Sequence, residues 1–211
     1  MPVRPLAEAL PAAWTRGGIA VLGLARSGLA AAELLRRAGA DTYASDAGDG
    51  DAVRHAASRL EPLGVHVQAG GHDLTRIARS ALVVVSPGIP PDAPPLVAAR
   101  EAGVAIVSEV EVALHFLPHQ CYVAITGTNG KTTTTALVHH LLQALGHVSV
   151  AAGNIGTPLS EVAMRDEQPD WIALEVSSFQ LHDSPGIAPA QSPSSLRTSG
   201  NEAYCGWPSR R

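Results

Sequence analysis

The sequence predicts an α/β protein with two parallel sheets in series. Three observations predict it. Short apolar runs recur along the chain, and most are followed by a stretch with helical spacing. Glycine-punctuated turns follow two of those runs, at Gly23–Gly28 and at Gly127–Gly130. Aromatic residues make up only 4% of the chain and apolar residues 45%, so the core must be built from Ala, Val, Leu and Ile, as in α/β layers. The 211 residues suffice for one large domain or two small ones.

The first half alternates strand and helix. Ile19–Leu22 reads as a buried strand, Gly23–Gly28 as a turn, and Leu29–Ala38 as a helix closed by Gly39. Asp41–Ser45 is a second strand ending at Asp46. This opens a βαβ unit of Rossmann kind. Ala25 stands where the middle glycine of a dinucleotide fingerprint would be, and Asp46 lies at the distance expected of a ribose-binding carboxylate. On spacing alone, a ligand-free turn with a strand-end aspartate reads equally well. A helix is expected over 51–63, a strand over 65–67 and a short helix over 73–79. Ala81–Val85 is the clearest strand of this half, and it runs into the stiff loop Ser86-Pro87-Gly88-Ile89-Pro90-Pro91. A helix over 93–102, a strand over 104–107 and a helix over 109–116 follow. Pro118 breaks the chain, which places a domain boundary near Leu117–Gln120 and a first domain over 1–118.

The second unit begins with the strand from Cys121. The loop Gly127-Thr128-Asn129-Gly130-Lys131-Thr132-Thr133 follows, and apolar residues from Ala136 to Leu145 then recur at helical spacing. Strand, glycine loop and helix in that order make a phosphate site. Backbone N–H groups and the helix N-terminus attract phosphate oxygens, Lys131 can reach the β- and γ-phosphates, and Thr132 can hold Mg²⁺. The loop is tighter than a strict Walker A, since Ile125 occupies the first glycine position. A strand over 148–151 ends in Gly153-Asn154-Ile155-Gly156, and Pro158 suits the first turn of a helix. Trp171–Leu174 is a buried strand ending at Glu175. A carboxylate there suits a Mg²⁺ site, because Mg²⁺ takes oxygen ligands. A helix N-terminal carboxylate is the other reading of Glu175.

Composition excludes several classes. A net charge of −4 gives no electrostatic case for nucleic acid. Cys121 and Cys205 make neither a disulfide framework nor a zinc pattern. His115, His119, His139 and His140 show no metal spacing. No apolar run approaches a membrane span, and Met1–Arg16 lacks the apolar core of a signal peptide, so a reducing cytoplasm is expected.

Four stretches resemble the Mur ligases of peptidoglycan synthesis: T-G-T-N-G-K-T-T at Thr126–Thr133, S-P-G-I at Ser86–Ile89, G-N-I-G at Gly153–Gly156, and E-V-S-S-F-Q-L at Glu175–Leu181. The last is most similar to the member that adds D-glutamate. The member adding L-alanine usually carries histidine where Asn129 stands. Those adding the third residue tend to read S-S-H where this chain has Ser177-Ser178-Phe179. The resemblance implies an ATP- and Mg²⁺-dependent amide ligase, cytoplasmic and monomeric, serving cell-wall biogenesis and division. ATP would phosphorylate the carboxylate of UDP-N-acetylmuramoyl-L-alanine, and the amine of D-glutamate would attack the acyl phosphate. Gly127–Thr133 would hold ATP, with Lys131 and Glu175 catalytic and Thr132 and Glu175 on the metal. The UDP-sugar would meet Gly23, Ala25, Arg26, Ser27, Asp46, Ser86, Pro87, Gly88, Asn154 and Ser177.

The family pattern stops near Pro189, leaving a partial second domain over 119–189. The expected apolar strand, Asp-His stretch, further lysine and third domain do not follow. Residues 190–211 are polar, aperiodic and rich in Ser, Pro and Arg, so the expectation is an unstructured tail produced by a frame change or sequencing error. The 211-residue chain is then expected to be an inactive truncation. A non-catalytic nucleotide-binding fragment, or another Mur-type ligase, remains the alternative reading.

Overall fold

The computed structural model describes residue 6, residues 10–187, and the backbone of 196–198 and 201–206. Among the described residues, ten strands form two sheets. The first contains β1 (Ile19–Leu22), β2 (Thr42–Asp46), β3 (His66–Ala69), β4 (Leu82–Val85) and β5 (Ala105–Ser108), in the order β3-β2-β1-β4-β5. Every pairing in it is parallel. Parallel neighbours cannot be joined by a tight turn, so each connection crosses a face of the sheet. The crossovers are α1 (Arg26–Arg37), α2 (Asp51–Leu60), α3 (Leu74–Ala78) and α4 (Pro94–Glu101).

Alternation along the strands sends side chains to two cores. Ile19, Val21 and Val84 face a core shared with Leu34 and Leu35 of α1 and Ala56 and Leu60 of α2. Ala20, Leu22, Val83 and Val85 face the opposite core, closed by Ile77 of α3 and Leu96 and Ala99 of α4. Helix α1 begins at Arg26, three residues earlier than the apolar pattern suggests. Gly28 explains the early start, because it lies inside the first turn against the preceding loop. A Cβ there would stand 1.8 Å from the Gly23 carbonyl oxygen. Only glycine lets the helix begin so close to the strand it leaves.

The second sheet has the order β7-β8-β6-β10-β9. Strands β6 (Cys121–Gly127), β7 (Ser149–Gly153) and β8 (Trp171–Glu175) are parallel. Helix α6 (Lys131–Ala144) joins β6 to β7, and α7 (Leu159–Ala163) precedes β8. On α6, Leu137, Leu141 and Leu145 lie at helical spacing and are 55%, 51% and 75% exposed. No helix among the described residues is long and apolar enough to cross a membrane.

Two sequence expectations need correction. Ser178–His182 forms a short helix, α8, where no helix is expected. The second concerns 190–211, expected to be unstructured. Within it β9 (Leu196–Thr198) and β10 (Asn201–Gly206) form an antiparallel pair, and β10 pairs antiparallel with β6 from Asn201↔Gly127 to Gly206↔Tyr122. The physical reason is the edge of β6. Its open row of N–H and C=O groups pairs with any extended backbone, whatever the side-chain period of that backbone. Pro189 and Ala190, where the family pattern ends, lie outside the described residues.

The two sheets are held together by α5 (Glu109–His115) and the turn after α8. The Ser108 N–H donates to the Asp183 carbonyl (2.7 Å), the Ser108 and Ser184 hydroxyls are 2.5 Å apart, and the Gly186 N–H donates to Glu111 Oε2 (2.9 Å). Beneath these contacts lies Glu109, fully buried. Its Oε1 accepts the Ser160 N–H at the start of α7 (2.6 Å). Its Oε2 and the Ser160 hydroxyl are both buried without a hydrogen-bond partner.

Burial lifts the Glu109 carboxyl from 4.5 to about 7, with hydrogen bonding from Ser160 opposing the shift and Glu161 adding to it. The folded chain therefore keeps a proton that the unfolded chain releases. Stability from this group is full below pH 4.5 and is lost as pH rises through about 7. The loss amounts to at most about 3 kcal/mol. Glu109→Gln keeps the acceptor for Ser160 N–H and adds a donor for the Ser160 hydroxyl. We predict that urea unfolding finds this variant about 1–3 kcal/mol more stable than the parent at pH 8 and equal to it at pH 5. An equal difference at both pH values would contradict the assignment.

Candidate functional site

In a parallel sheet all carboxyl ends fall on one edge, and ligands bind where the strand order reverses. In the first sheet that point lies between β1 and β4, whose succeeding loops are Gly23–Ala25 and Ser86–Pro90. The loops are tied together, since the Ser86 hydroxyl donates to the Gly23 carbonyl (2.9 Å). Asp46, at the end of β2, holds the same turn from its other side. Its Oδ2 accepts the Leu24 N–H (2.7 Å) and its Oδ1 the Gly48 N–H (2.8 Å). Each carboxylate oxygen keeps a second lone pair for a ligand hydroxyl.

Ala25 is the extended residue before α1, and Arg26 and Ser27 open the helix. Ala25 and Arg26 are exposed, and Ser27 is half-buried. A cavity of about 490 Å³ opens at this edge, lined by Gly23, Asp46, His72, Gly88, Ile89 and Pro90 among others. A second cavity, of about 330 Å³, lies between the two sheets. Ser86, Pro87, Gly88 and Arg100 line one side of it, and Ser178–Gln180 and Asp183 the other.

The second sheet places its site residues at its own carboxyl edge. Ile125, Glu175 and Gly153 lie side by side in register on β6, β8 and β7. Thr128 and Asn129 form the exposed loop after β6, and Gly130 (φ +74°) leads into α6. Thr132 and Thr133 lie exposed in the first turn, and the half-buried Lys131 folds its ammonium over the loop, donating to the Gly127 carbonyl (2.7 Å).

Glu175 is 1% exposed, and its Oε1 accepts from Asn154 Nδ2 (3.3 Å). The Asn154 N–H donates to the Glu175 carbonyl (2.9 Å), so the two residues are fixed by backbone as well as side chain. Gly153 makes this approach possible. At φ +114° a Cβ would stand 2.2 Å from the Glu175 carbonyl oxygen. A carboxylate and a threonine hydroxyl are both oxygen donors of the kind Mg²⁺ takes. Among the described residues no group of three or more His, Cys, Asp or Glu could hold a metal by itself.

Ser177 has a structural duty. Its hydroxyl accepts the Gln180 N–H (3.2 Å) while Gln180 Oε1 accepts the Ser177 N–H (3.0 Å), a capping box that starts α8. The S-x-x-Q spacing is itself a helix-start signal, so α8 was legible in the sequence by that rule. His72 was not among the sequence candidates. It is half-buried in the larger cavity with Nδ1 2.9 Å from the Ser45 hydroxyl. Burial lowers its pKa, against the opposing charge of Asp46. No motif marks it, because it reaches the site through a turn between β3 and α3.

Residues 17–108 match the family described as Mur ligase MurD-like, N-terminal domain, and residues 125–189 match the Mur ligase middle domain. The chain is 44% identical over 170 residues to a UDP-N-acetylmuramoylalanine–D-glutamate ligase of Synechocystis sp., covering 80% of this chain and 38% of that protein. It is 47% identical over 177 residues to the ligase of the same name from Acidobacterium capsulatum, covering 81% and 38%. Among solved structures, a murein peptide ligase from Psychrobacter arcticus is similar at 21% identity and a TM-score of 0.48, over 76% of this chain and 38% of that one. The chain thus spans under two fifths of the length of the curated relatives it matches. Its two matched segments account for most of its residues, and the chain belongs to the Mur ligase family.

Proposed function

We propose that this chain supplies the nucleotide-sugar and ATP-phosphate sites of a ligase that adds D-glutamate to UDP-N-acetylmuramoyl-L-alanine. The observation that carries the reading is the register of the second sheet. It sets the phosphate loop, Asn154 and Glu175 beside one another at one carboxyl edge. The relatives' names supply the reaction, and E-V-S-S-F-Q-L at Glu175–Leu181 supplies the preference for D-glutamate. The reading places this step in cytoplasmic precursor synthesis, carried out by a monomer.

In this reading the backbone N–H groups of Gly127–Thr133 bind phosphate oxygens, and Lys131 moves its ammonium from the Gly127 carbonyl to the β- and γ-phosphates. Thr132 and Glu175 hold the metal through oxygen. Mg²⁺, when bound, neutralises charge on the phosphates. Asn154 keeps the Glu175 carboxylate aimed and faces the sugar-peptide side. Gly23–Ser27, Asp46 and Ser86–Gly88 hold the uridine diphosphate, and the cavity between the sheets receives the muramoyl-alanine carboxylate. Transfer of the phosphoryl group then depends on positioning and charge stabilisation more than on covalent chemistry by the protein.

Charge-assisted contacts of this kind are worth roughly 1.5–3 kcal/mol each. Lys131→Ala should therefore weaken ATP binding by at least about tenfold in calorimetric titration with Mg²⁺ present. Unchanged affinity in a folded variant would remove the loop from the nucleotide site.

A further inference from the structure

The larger cavity at the carboxyl edge of the first sheet has few polar groups. Ala47, Leu74, Ile89, Pro90, Ala93 and Pro94 give it apolar walls, against which a base can pack. Asp46 contributes a carboxylate, which accepts hydrogen bonds but cannot donate them when ionised. Of the side chains lining this cavity, only His72 can donate.

His72 is held with unusual thoroughness for a turn residue. On one side the Gly70 and Gly71 N–H groups donate to the Gly48 and Asp46 carbonyls (2.9 and 3.0 Å). On the other, the Asp73 N–H donates to the Tyr43 hydroxyl (2.9 Å), and that hydroxyl donates to Gln68 Oε1 (2.7 Å). The ring itself is anchored by Ser45, whose side chain is fully buried on β2. Among the described residues the Ser45 hydroxyl has no hydrogen-bond partner other than His72 Nδ1. A buried hydroxyl that fails to donate costs about 1–3 kcal/mol. The Ser45 proton therefore goes to Nδ1, which fixes the neutral ring as the Nε2–H tautomer. Among the described residues Nε2–H has no protein acceptor, at a site where the remaining polar side chain is an acceptor.

We propose that His72 is a specificity-determining residue of the nucleotide site, its Nε2–H donating to the C4 carbonyl oxygen of a uracil base. This rests on the reading that the first sheet binds a uridine diphosphate sugar. It goes further by naming the group that reads the base. Uracil presents a second carbonyl where cytosine presents an amino group. A fixed donor on the wall favours the first and opposes the second.

The test is an NMR titration of the 211-residue chain with UDP, CDP and inorganic pyrophosphate, following backbone amides and the imidazole nitrogens of His72. The expected result is that UDP shifts the amides of Gly23, Asp46 and Gly88 together with His72 Nε2–H, and binds more tightly than CDP. His72→Leu should weaken UDP binding about tenfold and erase the preference over CDP. His72→Gln, which restores a donor, should recover most of both. Pyrophosphate, which has no base, should bind the parent and His72→Leu alike, a result that a merely structural role for the ring would not give. If UDP binds at those amides but His72→Leu binds it equally well, the role of His72 is wrong and the nucleotide reading stands. If UDP leaves those amides unmoved at saturating concentration, the nucleotide reading itself fails, and this proposal with it.

Discussion

Parallel pairing is the constraint on which the rest of this structure depends. A parallel neighbour can be reached only by crossing the sheet and returning in the same direction. Each parallel strand therefore ends on the same edge as its parallel neighbours, and each following loop opens toward the same side. In the first sheet this gathers Gly23, Asp46 and Ser86 from three strands far apart in sequence. In the second it gathers the loop at Gly127–Gly130, Asn154 and Glu175. No site residue needs a special local conformation to reach its place. The exceptions are the glycines that let a helix or a loop approach another backbone closely.

The two edges become one site only if the sheets are held in a fixed relation. That relation is set by an apolar core continuous between the two sheets, where Leu34 and Leu35 of α1 share a cluster with Leu159 and Val162 of α7, and by a few polar contacts: Ser108 and Glu111 against the turn at 183–186, and Glu109 against the start of α7. Burying a carboxyl between two units is costly, and burial raises the pKa of Glu109. Its protonated form suits the site better than its charged form. The junction is thus sensitive to pH. The cleft lined by Ser86–Gly88 and Ser178–Gln180 lies across this junction, so the junction's geometry sets the width of the cleft.

Much of this was legible in the sequence, for a physical reason. Strands buried on both faces read as continuous apolar runs, and Ile19–Leu22, Leu82–Val85 and residues 171–174 all do so. Strand, glycine loop and helix around Lys131 follow one another without interruption, so local pattern alone delimits them. Helix α8 went unseen because its start is written in a capping box rather than in apolar periodicity. The β9–β10 pair went unseen because it is recruited by the free backbone edge of β6, a property of the sheet and not of the tail. His72 went unseen because its position depends on Ser45, Tyr43 and Asp46, none of which is near it in sequence.

We propose that the carboxyl edges of both sheets are ligand surfaces, one for the nucleotide sugar and one for ATP. Hydrogen–deuterium exchange of the chain measures this edge by edge, because ligand contacts slow the exchange of the amides they cover. This assignment of ligands to edges predicts that UDP-N-acetylmuramoyl-L-alanine protects residues 23–28, 46–48 and 86–91. It predicts that ATP with Mg²⁺ protects residues 127–133 and leaves the first set unchanged. Protection by either ligand confined to the opposite edges of the sheets, or no protection at saturating ligand, would contradict it.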